Sequence, residues 1–279
     1  MGADTANVLS DPGAHPVIAH RGNSAHYPEN TAPAFDSALA LGVDALEFDV
    51  RISRDGVVVV IHDPTLDRTT NGTGAVESLG FAELQTFDVG ARFTRDGGRT
   101  FPFRGSGLRI LSLEELLLRY ETIPLLIEVK IAAAVDETRR LIERHGCEDR
   151  VLMDSTALDA VRPFRGTALS TGASFRDVVA LLPWCIAGRC PTALSYSALC
   201  IPPWYNGFPV PVRRLAQVAR SRDIPTHVWT INDPAEARTL WQSGINGIIT
   251  DDPEPMLKVR RELFSTDDRA GRSGRHNDL

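Results

Sequence analysis

Short runs rich in Val, Ile, Leu and Ala alternate along the chain with longer segments in which apolar residues recur every three or four positions. The runs predict strands over Val17–Ala19, Ala45–Val50, Leu125–Val129 and Val151–Met153. Further strands are expected over Ala168–Leu169, Ala198–Ile201, His227–Ile231 and Gly247–Thr250, that at Ala198 on the weakest pattern. Helical spacing predicts helices over Ala34–Leu41, Leu113–Tyr120, Val135–Arg144, Val212–Arg220 and Ala235–Gln242. Eight βα-like units in roughly 250 residues suit an α/β chain folded as a (β/α)8 TIM barrel. A doubly wound open sheet is the alternative, but no Gly-x-Gly-x-x-Gly turn follows the first strand.

Two interruptions break the alternation. Asp55-Gly56 lies between two β-rich runs, that of the second strand and Val57 to Ile61, a hairpin signal. The second barrel strand is therefore expected to run past the rim and fold back as a hairpin. From Leu66 to Arg109 the chain is loop-rich, with Asn71-Gly72 and Asp96-Gly97-Gly98, and so long a stretch is expected to form a small inserted cap (66–109). The polar ends, 1–15 and 265–279, read as flexible tails around one barrel domain over 16–264.

Composition narrows the function classes. Of 279 residues 43% are hydrophobic and 24% charged, a globular balance, and the net charge of −6 argues against nucleic acid as a partner. The longest apolar stretch, Val178 to Gly188, is broken by Pro183 and is too short for a transmembrane segment. No signal-peptide pattern opens the chain, and Cys147, Cys185, Cys190 and Cys200 form neither a disulfide framework nor a zinc signature. A cytoplasmic protein with reduced thiols is expected.

Barrel enzymes carry their chemistry at the C-terminal ends of the strands. The first predicted strand runs into His20-Arg21-Gly22. The second holds Glu47 and Asp49, two apart and so on one face. The hairpin return ends in His62-Asp63, and folding at Asp55-Gly56 brings His62 to about the height of Asp49. The strand after the insertion ends in Glu128-Val129-Lys130. Three carboxylates at one mouth repel one another unless neutralised, and oxygen ligands suit a hard divalent cation, Mg²⁺ or Ca²⁺. Two histidines for proton transfer and two cations for phosphate oxygens complete the parts needed to cleave a phosphate ester. The His-x-His and His-Glu-x-x-His ligand sets of other metallohydrolases are absent.

The ordered motifs His20-Arg21-Gly22, Pro28-Glu29-Asn30-Thr31, Glu47-Phe48-Asp49-Val50 and His62-Asp63-Pro64-Thr65-Leu66-Asp67-Arg68-Thr69-Thr70 resemble the glycerophosphodiester phosphodiesterase family. Glu128-Val129-Lys130, Val228-Trp229-Thr230-Ile231-Asn232 and Thr250-Asp251-Asp252-Pro253 extend the resemblance from about Ile18 to Pro253. It implies a (β/α)8 barrel with an inserted cap that hydrolyses small glycerophosphodiesters, such as glycerophosphocholine and glycerophosphoethanolamine, to glycerol 3-phosphate and an alcohol. It also implies one divalent cation on Glu47, Asp49 and Glu128, His20 and His62 as the acid/base pair, and Arg21 and Lys130 on the phosphate.

Several assignments carry plainer alternatives. Glu29 and Asn30 either orient Arg21 or bind substrate, or they brace the loop while Thr31 caps the next helix. Trp229 is either a wall for the glycerol or ordinary packing, and Asp63 and Asp251 read as turn or supporting residues rather than ligands. His62 is favoured as the acid only because the hairpin tip sets it beside the cap. Two other readings stay open: a related phospholipase D-like barrel acting on lysophospholipids, and a non-catalytic phosphodiester-binding barrel. No motif maps onto Trp184 to Pro209, and the headgroup, the ion and the oligomeric state are left open.

Overall fold

A computed structural model describes residues 7–264. In chain order the strands are β1 (Val17–His20), β2 (Ala45–Ile52), β3 (Val58–Val60), β4 (Leu125–Val129), β5 (Val151–Asp154) and β6 (Ser170–Thr171). They continue as β7 (Leu199–Ile201), β8 (Trp204–Tyr205), β9 (Phe208–Pro209), β10 (Thr226–Val228) and β11 (Gly247–Thr250). The helices are α1 (Ala32–Leu41), α2 (Phe81–Leu84), α3 (Leu113–Arg119), α4 (Val135–His145) and α5 (Leu158–Val161). They are followed by α6 (Phe175–Ala187), α7 (Val212–Arg220), α8 (Pro234–Gln242) and α9 (Pro253–Phe264).

Eight parallel strands follow one another in the order β6-β5-β4-β2-β1-β11-β10-β7. The ring closes where Ser197 N–H donates to Thr171 O at 2.7 Å and Ala173 N–H donates to Ala198 O at 3.1 Å. The chain is thus a TIM barrel. Its strands are buried on both faces, which is why they read as continuous apolar runs rather than as alternating ones. The hairpin forms at Asp55-Gly56: β3 pairs antiparallel with β2, Val50 opposite Val60, and Ile61 N–H donates to Asp49 O at 3.0 Å. Between Leu66 and Arg109 the chain wraps an apolar cluster of its own, with Leu66, Val76, Leu84 and Val89 packed beside Val59 and Ile61.

The differences from expectation have physical causes. The fifth barrel strand, β6, lies at Ser170–Thr171, two residues beyond the apolar pair Ala168–Leu169, because its pairing with Leu152 and Met153 fixes the register. The sixth, β7, forms on the weakest pattern. Strand β10 stops at Val228, short of the expected Ile231. Helix α6 spans most of the apolar stretch that Pro183 interrupts, and its start is set by a reciprocal cap between Ser174 and Asp177. No helix among the described residues is long and apolar enough to cross a membrane.

The N-terminal segment is the main correction. Residues 7–15 were expected within a flexible tail, yet Leu9 is fully buried against Ile18, Ala45, Leu126, Leu152, Ala198 and Ile249 inside the barrel. Small inward residues such as Ala45 and Ala198 leave room there, and an apolar plug fills it. Residues 1–6 and 265–279, also expected as tails, lie outside the described residues.

His227 holds the plug. Its ring is fully buried, Nε2–H donates to Leu9 O at 2.8 Å, and Nδ1 has no partner among the described residues. Burial lowers its pKa to about 4, only partly opposed by the Leu9 carbonyl. An unfolded histidine takes up its proton near pH 6.5. Between pH 6.5 and 4 the unfolded chain therefore binds more protons than the folded one, and stability falls with pH by about 1.4 kcal/mol per unit. Urea denaturation at pH 7 and pH 4.5 is expected to show roughly 2 kcal/mol of acid destabilisation from this site. His227→Gln, which keeps an N–H for Leu9, should lose that component; an unchanged pH slope in the variant would contradict the assignment.

Candidate active site

The turn after β1 sets the site. Arg21 and Asn30 both adopt left-handed backbone, at φ 57° and 58°, where residues other than glycine are uncommon. Arg21 N–H donates to Glu47 O at 2.9 Å and lies 3.0 Å from Glu47 Oε2, and Asn30 N–H donates to Arg21 O at 3.0 Å. Gly22, at φ 84°, admits no side chain, because a Cβ there would lie 2.6 Å from the Ala34 carbonyl carbon. The His-Arg-Gly sequence thus packs the turn onto the first turn of α1. Thr31 stands at the N-cap of that helix, but its hydroxyl donates to Pro28 O at 2.6 Å and makes no cap bond.

Strand register gathers the carboxylates. Asp49, Glu128 and Asp154 stand side by side on β2, β4 and β5, and Glu47 lies two residues before Asp49. Glu47, Asp49 and Glu128 each offer an oxygen within 4.8 Å of the others, a spacing that could hold a metal ion. The cations share the load. Asp49, fully buried, has Lys130 Nζ at 2.9 Å and Arg21 Nε at 3.0 Å, and it accepts from Asn30 Nδ2 at 3.0 Å. Lys130 also reaches Glu128 at 2.6 Å. Burial opposes ionisation of Asp49, but Lys130 and Arg21 outweigh it and hold its pKa low. Glu47 has no such pair: burial and the Asp49 charge push it up to about 7.

Both histidines are clamped in the same way. His20 Nδ1 lies 2.6 Å from Asp251 Oδ1, and His62 Nδ1 lies 2.6 Å from Asp63 Oδ1. A carboxylate at Nδ1 places the proton there in the neutral ring and leaves the Nε2 lone pair free. Their surroundings push them apart. Burial opposes the charge on His20, yet Glu47 and the Asp251 bond outweigh it and raise its pKa. For His62 burial prevails over Asp49, helped by Lys130 and Arg21, and its pKa is lowered.

A cavity of about 250 Å³ opens over this group, lined by His20, Arg21, Glu47, His62, Glu128 and Lys130 with Trp229 as one wall. Asp49 lies beneath it, wholly shielded. A larger hollow of about 670 Å³, around Pro124 and Cys147, contains neither the carboxylate trio nor the two clamped histidines. Glu29, read as a substrate contact, an orienter of Arg21 or a loop brace, does not line the active-site cavity: its oxygens are taken up by Arg21 at 3.0 Å and Arg68 at 2.6 and 2.7 Å.

Sequence reasoning passed over Asp154, Cys200 and Tyr205, which also line the cavity. Tyr205, on the β8–β9 hairpin inside the unmapped stretch, stacks on Phe175 at 4.9 Å. Asp154 left a signal in its place on a strand end, one strand beyond Glu128. Burial, reinforced by Glu128, pushes its pKa well above the carboxylate range. The roles of Asp63 and Asp251 were also underread; a carboxylate directly after His62 was the available sign.

Comparison with known proteins agrees with this geometry. The model of the glycerophosphoryl diester phosphodiesterase family matches residues 20–255. A glycerophosphodiester phosphodiesterase of Caldanaerobacter subterraneus is 31% identical over 255 residues, covering 88% of this chain and 98% of the relative. A probable glycerophosphodiester phosphodiesterase of Mycobacterium tuberculosis is 31% identical over 261 residues, covering 90% and 92%. Among solved structures, a putative glycerophosphoryl diester phosphodiesterase of Silicibacter pomeroyi superposes with a TM-score of 0.73 at 26% identity, over 92% of this chain and 96% of that one. A phosphodiesterase of Oleispira antarctica, solved with the product sn-glycerol-3-phosphate, shares the fold with a TM-score of 0.69 at 23% identity, over 88% and 96%.

The packing of Asp154 has a direct test. A Cβ on Gly172 would lie 1.9 Å from Asp154 Oδ1 and 2.8 Å from its Cγ, so the carboxyl occupies the space of a missing side chain. Gly172→Ala is expected to cost about 1–3 kcal/mol by overpacking. In an Asp154→Ala background the same change should cost roughly 1 kcal/mol or less, since the volume is then conserved. Equal costs in both backgrounds, measured by urea unfolding, would show that Asp154 does not fill that space.

Proposed function

The chain belongs to the glycerophosphoryl diester phosphodiesterase family, whose members are phosphoric diester hydrolases, and we propose that it cleaves glycerophosphodiesters to glycerol 3-phosphate and an alcohol. Glycerophosphocholine and glycerophosphoethanolamine are the proposed substrates. The observation that carries the reading is one small cavity in which two carboxylate-clamped histidines, a carboxylate trio and two cations meet. The Oleispira relative's bound product, sn-glycerol-3-phosphate, supports the same product here. Four free cysteines, with no disulfide among them, support a reducing compartment, the cytoplasm.

The donor set suits a hard divalent cation, Mg²⁺ or Ca²⁺: all three donors are carboxylate oxygens, and two of the residues are buried beside a third like charge. Glu47, Asp49 and Glu128 would hold it, and when bound it would neutralise phosphate charge and polarise the phosphoryl group. Arg21 and Lys130 bind the remaining phosphate oxygens, Arg21 through its planar fork and Lys130 as a point charge. Trp229 walls the glycerol side.

Two protons must move. One leaves the attacking oxygen as its bond to phosphorus forms, and one reaches the alcohol oxygen as its bond to phosphorus breaks. We assign the first transfer to His62, whose lowered pKa keeps Nε2 free, and the second to His20, whose raised pKa keeps the proton. This reverses the preference drawn from the hairpin's place alone.

Purified protein should hydrolyse glycerophosphocholine, lose the activity in EDTA and regain it with Mg²⁺ or Ca²⁺. Glu128→Gln should depress turnover and weaken the metal response; EDTA-insensitive turnover would rule out the cation. General acid catalysis is worth about 10²–10⁴-fold, and a nitrophenolate leaving group needs none of it. His20→Ala should therefore lose far more activity on glycerophosphocholine than on a nitrophenyl phosphodiester, and His62→Ala should lose heavily on both. Equal losses for both variants on both substrates would return the two rings to phosphate binding alone.

A further inference from the structure

Arg68 stands outside the cavity, on the segment that follows the hairpin. Its guanidinium is spent on two acids. NH1 donates to Glu29 Oε2 at 2.6 Å and NH2 to Glu29 Oε1 at 2.7 Å. Nε donates to Asp63 Oδ2 at 2.6 Å, while NH2 also reaches Asp63 Oδ1 at 3.2 Å. Each acid is shared with a side chain that faces the cavity. Glu29 Oε1 also accepts from Arg21 NH1 at 3.0 Å, and Asp63 Oδ1 is the oxygen at His62 Nδ1.

We propose that Arg68 is a positioning residue that fixes Arg21 and His62 together, through Glu29 and Asp63, on one side of the phosphate. The proposal rests on the phosphodiesterase reading for the roles of Arg21 and His62, but its geometry does not. Arg68 never meets the cavity, so it acts through its partners. Without it, Asp63 keeps only the imidazole and can rotate about its own side chain, releasing the ring from the orientation that aims Nε2 inward. Glu29 keeps only Arg21 and can draw that guanidinium away from Asp49. The pair would also carry one more uncompensated negative charge beside a phosphate site.

A plainer reading is that Arg68 only fastens the inserted segment to the rim. Half-exposed ion pairs contribute little stability on their own. The paired, two-acid geometry is what argues for more, because a planar fork bonds both carboxylates at once and a lysine cannot. Arg92 separates the two readings. It fastens the same segment by donating from Nε to Thr70 O at 2.7 Å and forms no ion pair with either acid.

The test combines kinetics with side-chain NMR. Supporting residues of this kind are typically worth about 10–100-fold. Arg68→Ala and Arg68→Lys should lower kcat for glycerophosphocholine by that factor with unfolding midpoints close to wild type, while Arg92→Ala should stay within about threefold of wild type. The loss should be non-additive with Asp63→Asn, the double variant being little worse than Asp63→Asn alone. In ¹⁵N-labelled protein the hydrogen-bonded His62 Nδ1–H signal should be present in wild type and lost in Arg68→Ala. Retention of that signal in Arg68→Ala, or kcat losses equal to those of Arg92→Ala, would overturn the proposal. If wild type failed to turn over the diester while the signal still depended on Arg68, the function would fall and the positioning would stand.

Discussion

Glu47, Asp49 and Glu128 crowd three carboxylates into a space where their oxygens lie within 4.8 Å, two of them shut off from water. At such separations in a poorly solvated site, repulsion amounts to several kcal/mol per pair, on the order of 4 kcal/mol for charges 4 Å apart at an effective dielectric near 20. Much of the surrounding architecture answers that problem. The left-handed turn at Arg21 aims a guanidinium at Asp49, the end of β4 supplies Lys130, and Asn30 adds a neutral donor. Compensation is uneven. Asp49 receives both cations, and Glu47, left with a backbone amide and a distant imidazole, retains a proton toward neutrality.

The same imbalance separates the histidines. Three of them illustrate how the partner, rather than burial alone, decides the proton. His227 is fully buried and His20 largely so, both on inward-facing positions, but His20 has two carboxylates in reach and His227 a single carbonyl. One is driven up and the other down. His62 has an acid of its own in Asp63, yet its burial, reinforced by the charges of Lys130 and Arg21, prevails and lowers its pKa. A barrel thus carries a neutral structural imidazole against its N-terminal plug and, at its mouth, one whose protonated form its acids favour.

Much of this was legible in the sequence, and for identifiable reasons. Charged residues two apart on a strand share a face, so Glu47 with Asp49 and Glu128 with Lys130 announced themselves. The Asp55-Gly56 turn then fixed where His62 would come to rest, and the hairpin register places it one step from Asp49. What could not be read were contacts between segments far apart in the chain. Asp251 meets His20 across 231 positions, and Leu9 meets His227 across 218. Asp154 depended on the β4–β5 register, and the choice among Glu29's readings turned on Arg68, 39 residues later, which claims it. Local pattern could place Ser170–Thr171 only approximately, since pairing rather than hydrophobicity makes it a strand.

With no ion bound, cations of the protein balance the trio, and Glu47 is partly protonated near pH 7. Calorimetric titration of Mg²⁺ or Ca²⁺ into EDTA-stripped protein at pH 7, in two buffers of different ionisation enthalpy, tests both parts at once. One saturable site per chain is expected, with net proton release and weaker binding as the pH falls below about 7, because the incoming ion must displace the Glu47 proton. Absence of a saturable site, or binding with no proton released at pH 7, would contradict it.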